Sequence, residues 1–263
     1  MKVSLLGPME IAFGAKAIRL QRPRQRALFA ILALYANKTV NTDAIIDMMW
    51  ADAPPAAARN QIQVHVSHIR KALRIAGTPD VLETQPAGYL LRLAPAGSDV
   101  GMFTALESVG HTALGEHRYR AAAEAFRLAL RTWRGPPLAG VDAAFVACEA
   151  PLLEERRRTV FRRWTDLQIG LDRCESLLPS LFAAVQREPL DEGLCLRLMA
   201  ALQRVGRSAD ALAACRQSKR LLHRELGIDP HESLRAAERT ILRGLPIDHP
   251  EWRFLELEPA LSA

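Results

Sequence analysis

Cysteine is scarce in this sequence, and its occurrences are far apart. The chain of 263 residues has four cysteines, with no C-x-x-C motif and no histidine at the spacing that a metal site needs. This pattern argues against both a disulfide framework and a zinc site, so buried, reduced thiols are expected. The four residues are Cys148, Cys174, Cys195 and Cys215.

Long apolar runs are lacking as well. No stretch approaches the roughly 18 apolar residues of a membrane span. The N-terminal segment MKVSLLGPMEI has neither the length of a signal peptide's apolar core nor a small-residue cleavage site. We therefore expect neither export nor membrane insertion, and we predict a cytoplasmic protein.

The signatures of common enzyme classes are also missing. There is no G-x-x-x-x-G-K-[ST] phosphate loop, no G-x-G-x-x-G after a strand and no H-E-x-x-H zinc-hydrolase motif. The seven histidines are scattered, and no catalytic use of them is expected. We predict a protein that is not an enzyme and that has no cofactor or metal.

Basic charge is present, but it is confined to one part of the chain. The length suggests two domains, and 49% hydrophobic with 24% charged residues is the composition of a folded protein. Residues 1–95 have 12 lysines and arginines against six acidic residues, a net charge of +6, whereas residues 96–263 have 23 of each. A positive excess restricted to one domain is typical of a protein that binds a polyanion.

The N-terminal half has the element order of a winged helix-turn-helix. Short alternating stretches around Gly7-Pro8 and Gly14 predict a small antiparallel sheet, three helices follow, and a hairpin around Pro86-Ala87-Gly88 forms the wing. Asn41 or Thr42 can cap the second helix. The predicted segments are strands at 2–6 and 17–20, helices at 23–37, 43–50 and 54–76, and the hairpin at 81–93.

The third predicted helix has one apolar face and one basic face. Its apolar residues fall at i, i+4, i+7 and i+11, a narrow stripe that must lie against a core. They are Ile62, Val66, Ile69 and Leu73. The other side carries Asn60, Gln63, Ser67, His68, Lys71 and Arg74. A solvated amphipathic helix would have the same pattern, and the confined positive charge is what favours a helix that reads DNA.

The rest of the chain shows helical patterns and no strand signals. The segments GEHRYRAAAEAFRLAL and GRSADALAACRQSKRLL share the small-residue pattern of closely paired helices, a degenerate tetratricopeptide signature. Asp229 is the predicted N-cap of a helix that starts at Pro230. The predicted helices are 103–114, 119–133, 151–171, 178–187, 192–205, 209–226 and 230–241. The predicted fold is therefore mainly α, a winged helix-turn-helix followed by an all-α tetratricopeptide-like domain.

A family resemblance extends over nearly the whole chain. The stretch RQRALFAILALYANKTVNTDAIIDMMWADAPPAAARNQIQVHVSHIRKAL resembles the OmpR-type winged helix of the Streptomyces antibiotic regulatory protein (SARP) family of transcriptional activators. The motifs WRGPPLAG, APLLEERR and REPLDEGLCLRLMAALQRVGRSADALAACRQSKRLLHRELGIDP resemble the bacterial transcriptional activation domain of that family. The implied domains are a DNA-binding domain at 1–95, an activation domain at 96–245 and a tail at 246–263.

The resemblance implies that the third helix enters the major groove and that the wing reaches the minor groove. Asn60 and Gln63 match the family's Asn-x-x-Gln pattern, and amide side chains pair with adenine. Ser67, His68 and Val64 are further base-reading candidates. For Val64, contact with a thymine methyl group and simple crowding near the backbone both stay open. His68 stands where the family usually has arginine, so the preferred DNA sequence is not transferable.

The predicted phosphate contacts are basic residues of the first and third helices. Arg70 and Lys71 match a basic pair of the family. The complete set is Arg22, Arg24, Arg26, Arg59, Arg70, Lys71 and Arg74.

The resemblance also implies partners. These are promoter DNA with direct repeats, bound by a homodimer, and RNA polymerase with its sigma factor. We predict an activator of a secondary-metabolite (antibiotic) gene cluster, with a repressor of the same DNA site and a helical-repeat adaptor as alternatives. We also expect that a fragment ending after Pro95 folds and binds DNA without activating, and that no receiver or ATPase module flanks the two domains.

Overall fold

The computed structural model describes residues 1–245, so the predicted tail at 246–263 lies outside the described residues. The contacts divide the chain into two compact units, one with residues 1–109 and 127–160, the other with 110–126 and the described chain from 161 onward. No helix in residues 1–245 is both long and apolar enough to cross a membrane.

The strands are short and all belong to the first unit. They are β1 (Lys2–Ser4), β2 (Glu10–Phe13), β3 (Lys16–Ala17), β4 (Thr39–Asn41), β5 (Leu82–Gln85) and β6 (Gly88–Leu91). The helices follow the predicted order. They are α1 (Pro23–Leu34), α2 (Thr42–Trp50), α3 (Ala58–Ala76), α4 (Asp99–Gly115), α5 (Tyr119–Leu130), α6 (Val146–Gly170), α7 (Cys174–Arg187), α8 (Glu192–Arg204), α9 (Ser208–Leu226) and α10 (Glu232–Leu242).

Two small antiparallel sheets accompany the three helices of the winged helix. In the first sheet, β2 lies between β1 and β3, with Val3 opposite Ile11 and Ala12 opposite Ala17. In the second, β6 lies between β4 and β5. The wing hairpin β5–β6 is therefore extended by a third strand, which fixes one of its edges to the fold.

Local signals and a shared core hold the three helices together. The side chain of Asn41 accepts a hydrogen bond from the N–H of Asp43 at 2.9 Å and caps α2. Gly77 ends α3 with φ of 94°, a left-handed conformation that glycine adopts readily. The core residues are fully buried and apolar. They include Leu28, Phe29, Ile31, Leu32, Ile45, Met49, Ile62 and Ile69. The predicted winged helix-turn-helix is confirmed.

Residues beyond the predicted domain boundary complete the first unit. The carboxylate of Asp99 accepts from the backbone N–H groups of Leu5 and Leu6 at 2.8 and 2.9 Å. The N–H groups of Arg134 and Leu138 donate to the carbonyls of Leu6 and Leu5, both at 2.7 Å. Because Leu5 and Leu6 are fully buried, these bonds satisfy backbone groups that water does not reach.

The second unit is a stack of helices, as predicted. α7 packs on α8, α8 packs on α9, and α10 packs on both α8 and α9. Where α4 meets α5, a Cβ on Gly110 would lie 2.4 Å from the ring of Phe126, so this close approach requires glycine. Arg197 makes two hydrogen bonds of 2.8 Å to the carboxylate of Asp166. The stack thus combines small residues at close approaches with an internal ion pair.

Some predicted helix starts are wrong. α6 begins at Val146 and α7 at Cys174, each several residues before the prediction. For α7 the reason is burial, because Cys174 and Leu177 contribute to the core and stabilise the turn ahead of Pro179. Proline therefore lies inside the helix and does not mark its start.

The predicted cap of α10 is also wrong. The helix begins at Glu232, and the side chain of His231, in place of Asp229, accepts from the N–H of Ser233. The N–H of His231 donates to Glu192 at 2.7 Å. This contact with a residue 39 positions away fixes the start of the helix, and sequence-local capping rules do not include it.

Three of the four cysteines are buried free thiols, and the prediction is wrong for Cys148, which is exposed. Burial raises the pKa of Cys174 to about 11, that of Cys195 to about 12 and that of Cys215 to about 11. These three thiols are therefore protonated at neutral pH. Within the described chain, no group of three or more histidine, cysteine, aspartate or glutamate side chains is arranged to hold a metal ion.

Candidate nucleic-acid interface

Helix α3 turns its apolar stripe to the core and its polar residues to solvent. Ile62, Val66, Ile69 and Leu73 are at most 2% exposed, as the spacing predicted. The 19 residues of the helix include no acidic side chain. A basic helix with one face packed on its own domain and the other open has the form that a nucleic-acid groove accommodates.

The five base-reading candidates all lie on the exposed side of α3. They are Asn60, Gln63, Val64, Ser67 and His68. No polar side-chain atom among them takes part in a hydrogen bond within residues 1–245. The amide groups of Asn60 and Gln63 therefore keep both a donor and an acceptor for a ligand. Their role as base readers stays a prediction.

The seven candidate phosphate contacts divide into free and engaged cations. Arg22, Lys71 and Arg74 are exposed, and none of them pairs with an acidic side chain in the part of the chain that the structure describes. Arg59 forms an ion pair with Asp43, and both side chains are 63% exposed. Because such exposed pairs contribute little to stability, Arg59 can exchange its partner for a phosphate.

The remaining three cations are held by the fold. Arg24 donates to the carbonyl of Met49 at 3.1 Å, and its guanidinium lies 5.4 Å from the centre of the Trp50 ring. Arg26 donates to the carbonyl of Gly140. Arg70 donates to two groups of β5. Charge and, for Arg70, the family resemblance suggested these residues as phosphate contacts, and neither showed that protein groups already bind them.

A cleft of about 520 Å³ separates α3 from the wing. Its lining comes from both elements. The lining residues are Gln63, Val66, Ser67, Arg70, Lys71, Arg74, Thr84 and Tyr89. The tip of the wing is fixed by a hydrogen bond of 3.0 Å from the N–H of Thr42 to the carbonyl of Ala87. An ion pair between Arg92 and Glu83 joins its two arms.

Sequence reasoning missed His65, which lies between the apolar stripe and the polar face of α3. Its Nδ1 atom is buried and has no hydrogen-bond partner in the described residues. Burial lowers the pKa of His65, and the positive charges of His68, Arg22 and Arg24 lower it further. The available signal was its spacing, three residues after Ile62, which places it beside the buried stripe.

Three helices and a wing hairpin, with no acidic residue on the third helix, make the first unit a winged helix-turn-helix, a class of DNA-binding fold. The family described as "Transcriptional regulatory protein, C terminal" matches residues 16–91, and the "Bacterial transcriptional activator domain" matches residues 98–242. The chain belongs to the SARP family of regulators, which combines these two domains.

Relatives match this chain along most of its length. The regulatory protein DnrI of Streptomyces peucetius is 34% identical over 256 residues, which cover 94% of this chain and 93% of DnrI. The transcriptional regulatory protein EmbR of Mycobacterium tuberculosis is 35% identical over 247 residues, which cover 93% of this chain and 64% of EmbR. This chain therefore spans less than two thirds of the length of EmbR.

A solved structure has the same fold. It is Mycobacterium tuberculosis EmbR in complex with a low-affinity phosphopeptide, and it is similar to this chain with a TM-score of 0.84 at 35% identity. The similarity covers 94% of this chain and 66% of that one. The order of winged helix and helical domain is thus shared with an experimentally determined relative.

Proposed function

We propose that this protein is a sequence-specific activator of a secondary-metabolite gene cluster. Helix α3 enters the major groove of promoter DNA, where Asn60 and Gln63 read bases, and Lys71 and Arg74 neutralise phosphates. The observation that carries this proposal is the exposed face of α3, which has no acidic residue. The exposed side chains of Asn60, Gln63, Lys71 and Arg74 have no hydrogen-bond or ion-pair partner in residues 1–245.

The proposed complex is a homodimer on direct repeats, in the cytoplasm. Repeats about one helical turn apart, roughly 10 to 11 base pairs, place both copies on one face of the duplex. The helical second unit recruits RNA polymerase with its sigma factor, since stacked helical pairs form surfaces that hold proteins. The match to a bacterial transcriptional activator domain over residues 98–242 supports this division of roles.

Selection of binding sites from a random duplex pool tests the DNA-reading role. We expect the full chain to enrich paired direct repeats at moderate salt, because base contacts survive conditions that weaken non-specific binding. The matched control is a chain with Asn60→Ala and Gln63→Ala, which changes no charge and no buried residue. A folded wild-type chain that enriches no sequence would favour the adaptor alternative.

Transcription in vitro with purified polymerase then separates activation from repression. The template carries the selected repeats upstream of a promoter. We expect the transcript to increase when the protein is added and to stay unchanged on a template with scrambled repeats. A decrease on the repeat template would identify a repressor that uses the same DNA site.

A further inference from the structure

Arg70 connects the third helix to the wing. Its side chain is half-buried, its Nε donates to the carbonyl of Leu82 at 3.0 Å, and its Nη2 donates to Oγ1 of Thr84 at 2.7 Å. Both acceptors belong to β5, the first arm of the wing. The planar guanidinium therefore uses two of its donors at once on a single strand.

The position of β5 explains why these bonds matter. The strand order is β4-β6-β5, so β5 lies at the edge of its sheet and pairs with β6 on one side. The carbonyl of Val81 accepts from the N–H of Arg92 on that side, at 2.7 Å. The next carbonyl, that of Leu82, points to the open edge because successive carbonyls of a strand alternate. Arg70 supplies the donor that no neighbouring strand provides.

The opposite edge of the wing is held by backbone contacts. There β4 pairs with β6, and the N–H of Thr42 binds the carbonyl of Ala87. The wing thus has strand pairing on one edge and a side chain of α3 on the other. Arg70 lines the cleft between α3 and the wing, so its two hydrogen bonds set the separation of the two DNA-facing elements.

We infer that Arg70 is a positioning residue that sets the wing relative to α3, and that it is not a phosphate contact. The expected effect on DNA affinity rests on the proposed DNA-binding function, whereas the contacts of Arg70 with β5 do not depend on it. A lysine keeps the charge and cannot reproduce the two-donor fork of a guanidinium. The position therefore requires arginine for its shape more than for its charge.

The test measures the affinity of the full chain for its selected DNA site at several salt concentrations. We expect Arg70→Lys to weaken binding about tenfold with no change in the salt slope, since the number of neutralised phosphates is unchanged. Thr84→Val removes one acceptor and no charge, and we expect it to weaken binding about threefold. The double variant should be no weaker than Arg70→Lys alone, because Arg70→Lys already breaks the hydrogen bond that Thr84→Val removes.

Arg120→Lys is the matched control. Arg120 lies on α5 in the second unit, is exposed and has no acidic partner in the described residues, so its replacement by lysine should leave both affinity and slope nearly unchanged. A phosphate role for Arg70 predicts the opposite pattern. In that case Arg70→Lys binds like wild type, Arg70→Met lowers the salt slope by about one, and Thr84→Val has no effect. That pattern would overturn the inference.

A second readout does not depend on DNA. Amide hydrogen exchange of β5 and β6 in the free protein should be faster in Arg70→Lys and in Thr84→Val than in wild type and Arg120→Lys. Unchanged exchange in both wing variants would contradict the positioning role. If the wild-type chain selects no DNA site, the proposed function fails, and hydrogen exchange still decides whether Arg70 holds the wing.

Discussion

Helices α3 and α9 each span 19 residues, and each ends at a glycine in the left-handed conformation. α9 packs against both α8 and α10, and Lys219 on it forms an ion pair with Glu238 of α10. α3 packs against α1 and α2 along one stripe and has no acidic residue. Two helices with the same length and the same ending thus have different surroundings.

The difference lies in charge, since α9 has Asp210 and Glu225 among its basic residues and α3 has no acidic residue. α9 buries Cys215 and Leu222 among its neighbours. On α3, Asn60, Lys71 and Arg74 stay exposed without a partner in residues 1–245. α9 also exposes Arg216 and Arg220 without an acidic partner in residues 1–245, so what distinguishes α3 is a basic face without carboxylates, which suits a polyanion. The two units therefore receive separate predictions.

The largest loss of stability should come from ending the chain after Pro95, which removes α9 and also the residues that complete the first unit. A fragment of residues 1–95 lacks Asp99, Arg134 and Leu138, which satisfy buried backbone groups of Leu5 and Leu6. Each of these hydrogen bonds contributes about 0.5 to 1.5 kcal/mol, and the deletion also exposes the buried side chains of Leu5 and Leu6 to water. We expect the fragment to lose most of a small domain's stability of roughly 5 to 15 kcal/mol, as measured by urea unfolding.

The control fragment is residues 1–160, which keeps the whole first unit. It should unfold cooperatively and bind DNA without activating transcription. The two fragments together test the sequence-based prediction that residues 1–95 fold on their own. Equal stability of the two fragments would show that the later segment is not needed by the winged helix.

Matched core substitutions compare the buried faces of α3 and α9. Ile69 is fully buried and Leu222 is 2% exposed, so Ile69→Ala and Leu222→Ala should each lower the free energy of unfolding by about 2 to 5 kcal/mol. DNA stabilises only the unit that binds it. In thermal unfolding, added DNA duplex should therefore raise the midpoint temperature of the transition that Ile69→Ala lowers. If added DNA raised the midpoint temperature of the transition that Leu222→Ala lowers, the second unit would bind DNA, and the division of roles between the two units would be wrong.

Local sequence patterns predicted much of this fold. The stripe of Ile62 and Leu73 follows from the helical repeat alone, and the end of α3 follows from the left-handed preference of Gly77. Asn41 was one of two candidate caps, and its side chain does accept the bond from Asp43. These features depend on a few neighbouring residues, so the sequence contains the information needed to find them.

Features that depend on distant residues were not predictable in the same way. Arg26 looks like a phosphate ligand from its charge, but it donates to Gly140, 114 positions later. Arg70 resembles Lys71 in sequence, and only the position of β5 distinguishes the two. The predicted cap at Asp229 fails for the same reason. Charge and spacing suggest which groups can bind a ligand, and tertiary contacts decide which of them are free.

A smaller effect should distinguish base reading from charge on α3. Asn60→Ala should cost about 1 to 3 kcal/mol of binding free energy on the selected site and little on random DNA, because an amide reads a base edge. The control Lys71→Ala should weaken binding to both DNAs and lower the salt slope by about one. Fluorescence anisotropy titrations measure the affinity for both DNAs and its dependence on salt. Equal losses on the two DNAs for Asn60→Ala would refute base reading.

The smallest expected effect is a dependence of stability on pH that comes from His65. Burial and the charges of His68, Arg22 and Arg24 hold the pKa of His65 below its ordinary value of 6.5. Just below pH 6.5 the unfolded chain therefore binds more protons at this residue than the folded chain does. The free energy of unfolding should then fall as the pH decreases through and below 6.5.

Urea unfolding at a series of pH values between about 8 and 5 measures this effect across the histidine range. His65→Gln removes the titrating group, and it should flatten the acid side of the profile for the unit that contains α3. His223→Gln is the control, because His223 is exposed on α9 in the second unit and is not among the charges that lower the pKa of His65. An acid side that is as steep in His65→Gln as in wild type and in the control would show that His65 does not cause the dependence on pH.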